Sequence, residues 1–114
     1  KMKLFLDDLR VPRDIYKNID TDNGDWIVVR SFNEAAKFVQ DNGVPEVISF
    51  DNDLGESQLE GYDFAKFLVE GDQRGLFTLP KQFSWNVHSA NIRAWDNINC
   101  LLENYMKFKY GVAT

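Results

Sequence analysis

Four short apolar runs limit what this chain can form: Met2–Leu6, Trp26–Val29, Val47–Phe50 and Gln82–Val87. Met2–Leu6 is too short for a helix and has the content of a strand buried on both faces, and the other three are read as further strands. Three of them stop abruptly at polar groups: Asp7-Asp8, Asp51-Asn52-Asp53 and His88-Ser89-Ala90-Asn91. An ionised carboxylate is costly to desolvate, so these residues mark points where strands emerge from a core.

Helical spacing fills most of the intervals. Ser31-Phe32-Asn33-Glu34 has the pattern of a capping box, with Ala35, Phe38 and Val39 on one face of the helix after it and Asn42-Gly43 at its end. Tyr62 to Asp72 places Phe64, Phe67 and Leu68 inward, with Gly71 and Gly75 marking its end. Asn91 is a candidate N-cap for a last helix that carries Ile92, Trp95, Ile98, Leu102, Tyr105 and Met106 inward and runs to about Phe108. Residues 13–25 are polar and lack a period, so any helix between Pro12 and Asn18 is short. Residues 52–61 read as a polar loop in which Gly55 and Gly61 permit tight backbone geometry.

Strands alternating with helices give an α/β fold in three layers: a parallel sheet of about four strands with helices on both faces. The chain of 114 residues is expected to be one domain, 1–114, and its 44% hydrophobic content is enough for a core. The formal charge of −5 argues against general double-stranded DNA binding, which needs a basic face. No run approaches a membrane span, and Cys100 is the only cysteine, which suits a reducing, cytoplasmic setting. Cys100 itself is expected to be a small buried residue of the last helix. The oligomeric state is not legible.

In parallel sheets, ligands bind beyond the carboxyl ends of the strands. Asp7, Asp8, Asp51, Asp53, His88, Ser89 and Asn91 all fall there. Asp7, Asp8 and Asp51 would crowd negative charge, and a hard divalent cation, Mg²⁺ or Mn²⁺, relieves that repulsion through oxygen ligands. Asp53 is a further ligand or a general base. His88, the only histidine, is a candidate general acid or base, and Ser89 and Asn91 would bind phosphate at a helix N-terminus. Arg10 and Arg93 are candidate phosphate contacts. Each feature has a plainer reading: solvated turn acids, a packed histidine, an ordinary N-cap and surface arginines.

Taken together, Leu4-Phe5-Leu6-Asp7-Asp8-Leu9-Arg10-Val11-Pro12, Ser49-Phe50-Asp51-Asn52-Asp53-Leu54-Gly55, Gly61-Tyr62-Asp63 and His88-Ser89-Ala90-Asn91 resemble the cyclic-phosphate-processing receiver-like domain family. The resemblance covers nearly the whole chain. It implies a flavodoxin/receiver-like fold and metal-dependent processing of a cyclic phosphate. Asp7, Asp8 and Asp51 then match the receiver acidic pocket, while Asp53, His88, Ser89 and Asn91 match features particular to the family. Asn52 stands where the family tends to have His, and Ile92 where it tends to have Pro. A fifth strand with the receiver lysine is not evident: Tyr105 to Tyr110 could alternate as a strand bearing Lys107 or Lys109, but helix continuation fits better.

The expected activity is that of a Mg²⁺- or Mn²⁺-dependent phosphoesterase acting on a small nucleotide or an RNA end. One rival takes Asp51-Asn52-Asp53 as an Asp-x-Asp phosphatase motif with Asp51 as nucleophile. Another is a non-catalytic module that sequesters a nucleotide or docks on a protein.

Overall fold

The apolar runs pair side by side, and their register decides which acids meet. The computed structural model describes residues 2–54 and 59–111. In it β1 (Lys3–Leu6), β2 (Ile27–Val29), β3 (Val47–Phe50) and β4 (Ser84–Val87) form one sheet in the order β2-β1-β3-β4. Every pairing is parallel, and Leu6 aligns with Val29 on one side and Phe50 on the other. Phe50 in turn aligns with Val87. The next residues, Asp7, Asp51 and His88, therefore leave the sheet together. Asp7 N–H donates to the Val29 carbonyl, Asp51 N–H to Leu6, and His88 N–H to Phe50.

Side chains alternate across a strand, so the sheet has two different faces. Leu4, Leu6, Ile48 and Phe50 are fully buried and face a cluster that includes Val39, Phe64, Leu68, Ile98 and Leu102. This is the side of α2 (Phe32–Asn42), α3 (Gly61–Gln73) and α4 (Ile92–Tyr110). Truncating a ring as buried as Phe64 removes on the order of 3–5 kcal/mol. The other face presents Phe5 and Ser49. It is covered by α1 (Pro12–Ile15) and by Tyr16 and Trp26, whose rings stack at 5.3 Å and stand edge-on to Phe5. Helices do lie on both faces, but among the described residues one side has three helices and the other a single turn.

The sequence signals mostly held at the element ends. Val11 is extended and Pro12 takes the first helical position, where its missing N–H costs nothing. Ser31 caps α2 by accepting from Glu34 N–H at 3.1 Å, although Glu34 reaches back to Arg30 N–H rather than to that of Ser31. Asn91 caps α4 through Ala94 N–H, and α4 stays helical to Tyr110. Gly55 lies outside the described residues.

The last helix turns Ile98, Leu102, Met106 and the partly buried Tyr105 inward as expected, but not its first-turn residues. Its inward row is Ala94, Ile98, Leu102 and Met106, spaced by four, while Ile92 is 77% and Trp95 47% exposed. The first turn of α4 borders the polar carboxyl edge of the sheet, where the core does not extend. Cys100 is exposed, not buried, because it sits about 200° around the helix from both Ile98 and Leu102. Trp26 also falls just before β2 rather than in it.

Candidate functional site

Asp7, Asp8 and Asp51 offer carboxylate oxygens that lie within 4.8 Å of one another. They line an open cleft of about 430 Å³ together with Arg10, Asn52, Asp53, Ser89 and Asn91. A cleft of about 530 Å³ between Phe83, Trp85 and Met106 lies elsewhere and, among the described residues, holds no such group of acids. The chemistry, rather than the volume, distinguishes the site.

Asp7 is 1% exposed and its carboxylate is held on every side. One oxygen accepts from the backbone N–H groups of Leu9 and Arg10 at 2.9 and 2.8 Å. The other accepts from Arg10 Nε at 2.8 Å and meets His88 Nε2 at 3.1 Å. Burial raises its pKa, but these donors and the Arg10 charge outweigh burial and leave it below the ordinary value. Arg30 holds the turn from outside by donating to the carbonyls of Asp7 and Arg10 at 3.2 and 2.7 Å.

Asp51 is placed differently. Burial and the Asp7 charge push its pKa up to about 6, against the opposing Arg10 and the backbone N–H groups of Asn52 and Asp53. Arg10 Nη2 reaches it only at 3.4 Å. One guanidinium thus serves two buried carboxylates, and the cluster lacks positive charge. That deficit, and an all-oxygen donor set, fit a hard divalent cation. Asp8 is half-buried and completes the set.

Asn52 ties the loop after β3. Its amide donates to Glu60 and its carbonyl oxygen accepts from Tyr62 N–H, while its backbone carbonyl accepts from Gly61 N–H. A Cβ at Gly61 would lie 2.1 Å from the Asp51 carbonyl oxygen, so glycine alone lets α3 begin this close to β3. Asp53 is exposed at the mouth of the cleft. Ser89 accepts from Asn91 N–H at 3.1 Å, so Ser89 and Asn91 together shape the start of α4 at the cleft wall. Arg93 is exposed and borders a neighbouring hollow with Asn52 and Glu60 rather than the acidic cleft itself.

His88 does not line the cleft. Its side chain is 2% exposed and stacked on Phe5 at 4.5 Å, with Nε2 toward Asp7 and Nδ1 at 2.6 Å from Ser49 Oγ. Burial lowers its pKa, against the opposing Asp7. Ser49 and Tyr16 are the contacts that sequence reasoning missed. Ser49 gave a signal, a hydroxyl between Ile48 and Phe50 in a buried strand, whereas Tyr16 sits in a segment without any period.

Lys109 is bound to Asp72 near the end of α3, and Lys107 borders the cleft at Phe83. Among the described residues, Arg10 is therefore the basic group that pairs with the acidic cluster.

A four-stranded parallel sheet with paired acids after β1 and another after β3 defines a receiver-like fold with an acidic pocket. The family described as Cyclic-phosphate processing Receiver domain matches residues 2–104, and the chain belongs to that family. No curated protein matches it. Among solved structures it is similar to NtrX from Brucella abortus, with a TM-score of 0.51 and 15% identity over 95% of this chain. The match spans 27% of the NtrX chain, and at this identity it bears on the fold alone. A fusion carrying the yeast Spc42 trimeric coiled coil also matches, with a TM-score of 0.49 and 16% identity over 96% of this chain and 78% of the other.

Proposed function

We propose that the acidic cleft binds Mg²⁺ or Mn²⁺ and hydrolyses a cyclic phosphate, such as the cyclic end of an RNA or a cyclic nucleotide. The observation that carries this reading is the convergence of Asp7, Asp8 and Asp51 in a member of a cyclic-phosphate processing family. Asp8 and Asp51 would hold the cation directly, because the Asp7 oxygens already accept from protein donors. When bound, the cation supplies Lewis-acid polarisation of a phosphate oxygen. Arg10, Ser89, Asn91 and the start of α4 would orient the phosphate and stabilise charge on it.

Asp53, rather than His88, is assigned the proton. It borders the cleft, whereas the His88 ring is buried with both nitrogens engaged. Asp53 would accept the proton of the attacking water as the new P–O bond forms. It would then return the proton to the ribose oxygen released when the ring P–O bond breaks.

Hydrolysis of 2′,3′-cyclic nucleotides and cyclic-phosphate-ended RNA with Mg²⁺ or Mn²⁺ tests this. Asp51→Ala should abolish turnover, and Asp53→Asn should lower it by on the order of 10²–10⁴. The buried histidine also favours a second reading, a module that holds a nucleotide without cleaving it. Tight cation-dependent nucleotide binding without turnover would select that reading.

A further inference from the structure

We propose that Ser49, Tyr16 and His88 are positioning residues that fix the Asp7 carboxylate through one hydrogen-bonded chain, running from the cleft to the opposite face of the sheet. This inference rests on the cation-binding part of the reading above. The chain has four contacts after Arg10. Asp7 Oδ2 meets His88 Nε2 at 3.1 Å, and His88 Nδ1 meets Ser49 Oγ at 2.6 Å. Ser49 Oγ meets Tyr16 Oη at 2.6 Å, and Tyr16 Oη accepts at 2.7 Å from Nδ2 of the exposed Asn86.

The direction of every proton follows from the acid end. Asp7, paired with Arg10, is an acceptor only, so His88 Nε2 must donate to it. A neutral ring then has a bare Nδ1, and Ser49 must donate there. That uses the one Ser49 proton, so Tyr16 must donate to Ser49. The Tyr16 oxygen is left to accept, and Asn86 supplies its amide N–H. Each hydroxyl gives one proton and receives one, and no buried polar side-chain atom among the described residues lacks a partner.

The interior of the chain has no access to replacement partners. Ser49 is fully buried and Asp7 nearly so. Phe5 stacks within 6° of parallel to the imidazole and closes one of its faces. Without the Ser49 hydroxyl, Nδ1 is left as a buried acceptor with no donor. The ring is then held from the Asp7 side and by Phe5 only, and the hold it gives the carboxylate is weaker. Asp7 stands behind the ligand Asp51 through the Arg10 they share, and groups behind a metal ligand act in this way on cation affinity.

Because His88 is the only histidine among 114 residues, the isotope-labelled imidazole nitrogens report on this one ring. The wild-type spectrum without metal should show a protonated Nε2 and a bare, hydrogen-bonded Nδ1. Ser49→Ala should move the Nδ1 resonance and weaken Mn²⁺ binding, measured calorimetrically, by roughly 10–100-fold with the far-UV spectrum unchanged. Tyr16→Phe, at a half-buried ring, should shift both readouts in the same direction by less. It decides the matter if Ser49→Ala does not fold.

An Nδ1–H tautomer, a resonance indifferent to either substitution, or Mn²⁺ affinity equal to wild type in both variants would overturn the proposal. So would a wild-type protein that takes up no Mn²⁺. Shifts as expected in a protein that cleaves no cyclic phosphate would support the chain while removing the phosphoesterase reading. Turnover without the shifts would do the reverse.

Discussion

Asp51 and Asp72 are both buried carboxylates close to a basic side chain, yet their acidities move in opposite directions. Asp72, 4% exposed, accepts from Leu79 N–H at 2.8 Å and from both Tyr105 Oη and Lys109 Nζ. Burial raises its pKa, but Lys109, Tyr105 and the N–H together bring it below the ordinary value. The same contact, after burial, helps push Tyr105 up to about 12. Asp51, 8% exposed, shares its cation with Asp7 and rises to about 6. A buried acid with its own cation and donors serves the fold. A buried acid that must share one marks a place where charge is missing.

Substitutions that exchange the two situations should separate them. Asp72→Ala should cost the most, about 3 kcal/mol in urea unfolding, because Lys109 and Tyr105 lose their shared partner. Asp51→Asn should act oppositely. It should stabilise the cation-free protein by roughly 2 kcal/mol at pH 7 while abolishing Mn²⁺ binding. Unchanged stability would show that the Asp51 charge is already compensated.

The pH course follows from the same contrast. Between pH 3.8 and about 6 the folded protein holds a proton on Asp51 that the unfolded chain has released. Wild-type stability attributable to Asp51 should therefore fall as pH rises through that window, and Asp51→Asn should flatten it. Asp72, with a depressed folded value, stabilises above its unfolded value of 3.8 and loses that contribution as pH falls through the folded value. A smaller effect, about 1 kcal/mol, is expected for Lys109→Met, since the ammonium is partly exposed and Asp72 keeps two other donors. Cys100→Ser should change stability by less than about 0.5 kcal/mol, as expected for an exposed helix position.

The convergence of Asp7, Asp8 and Asp51 was legible because short apolar runs end at each acid and parallel strands align their ends. The burial of His88 was not. Whether a residue after a strand points into the cleft or back beneath the sheet depends on the parity of β4, and on Phe5 offering a ring to stack on. The aromatic cover of the thin face was hidden for another reason. Tyr16 and Trp26 come from a segment of turns, where neither helical nor strand spacing singles out an inward residue. In α4, apolar residues outnumber core positions, so periodicity gave the helix and its inward row from Ile98 onward but not where that row begins. Ile92 and Trp95 joined the pattern without joining the core.

The tie made by Asn52 has a consequence for how this site can change. Its bonds to Glu60, Gly61 and Tyr62 tie together the two ends of the segment after β3. Loop-closure entropy grows only with the logarithm of length, so doubling the segment between these anchors costs about 0.6 kcal/mol. Insertions after Asp53, which borders the cleft, can change what surrounds it while Asp7, Asp8 and Asp51 keep their places. A lineage, or an engineer, can thus alter what enters the cleft without rebuilding the acids.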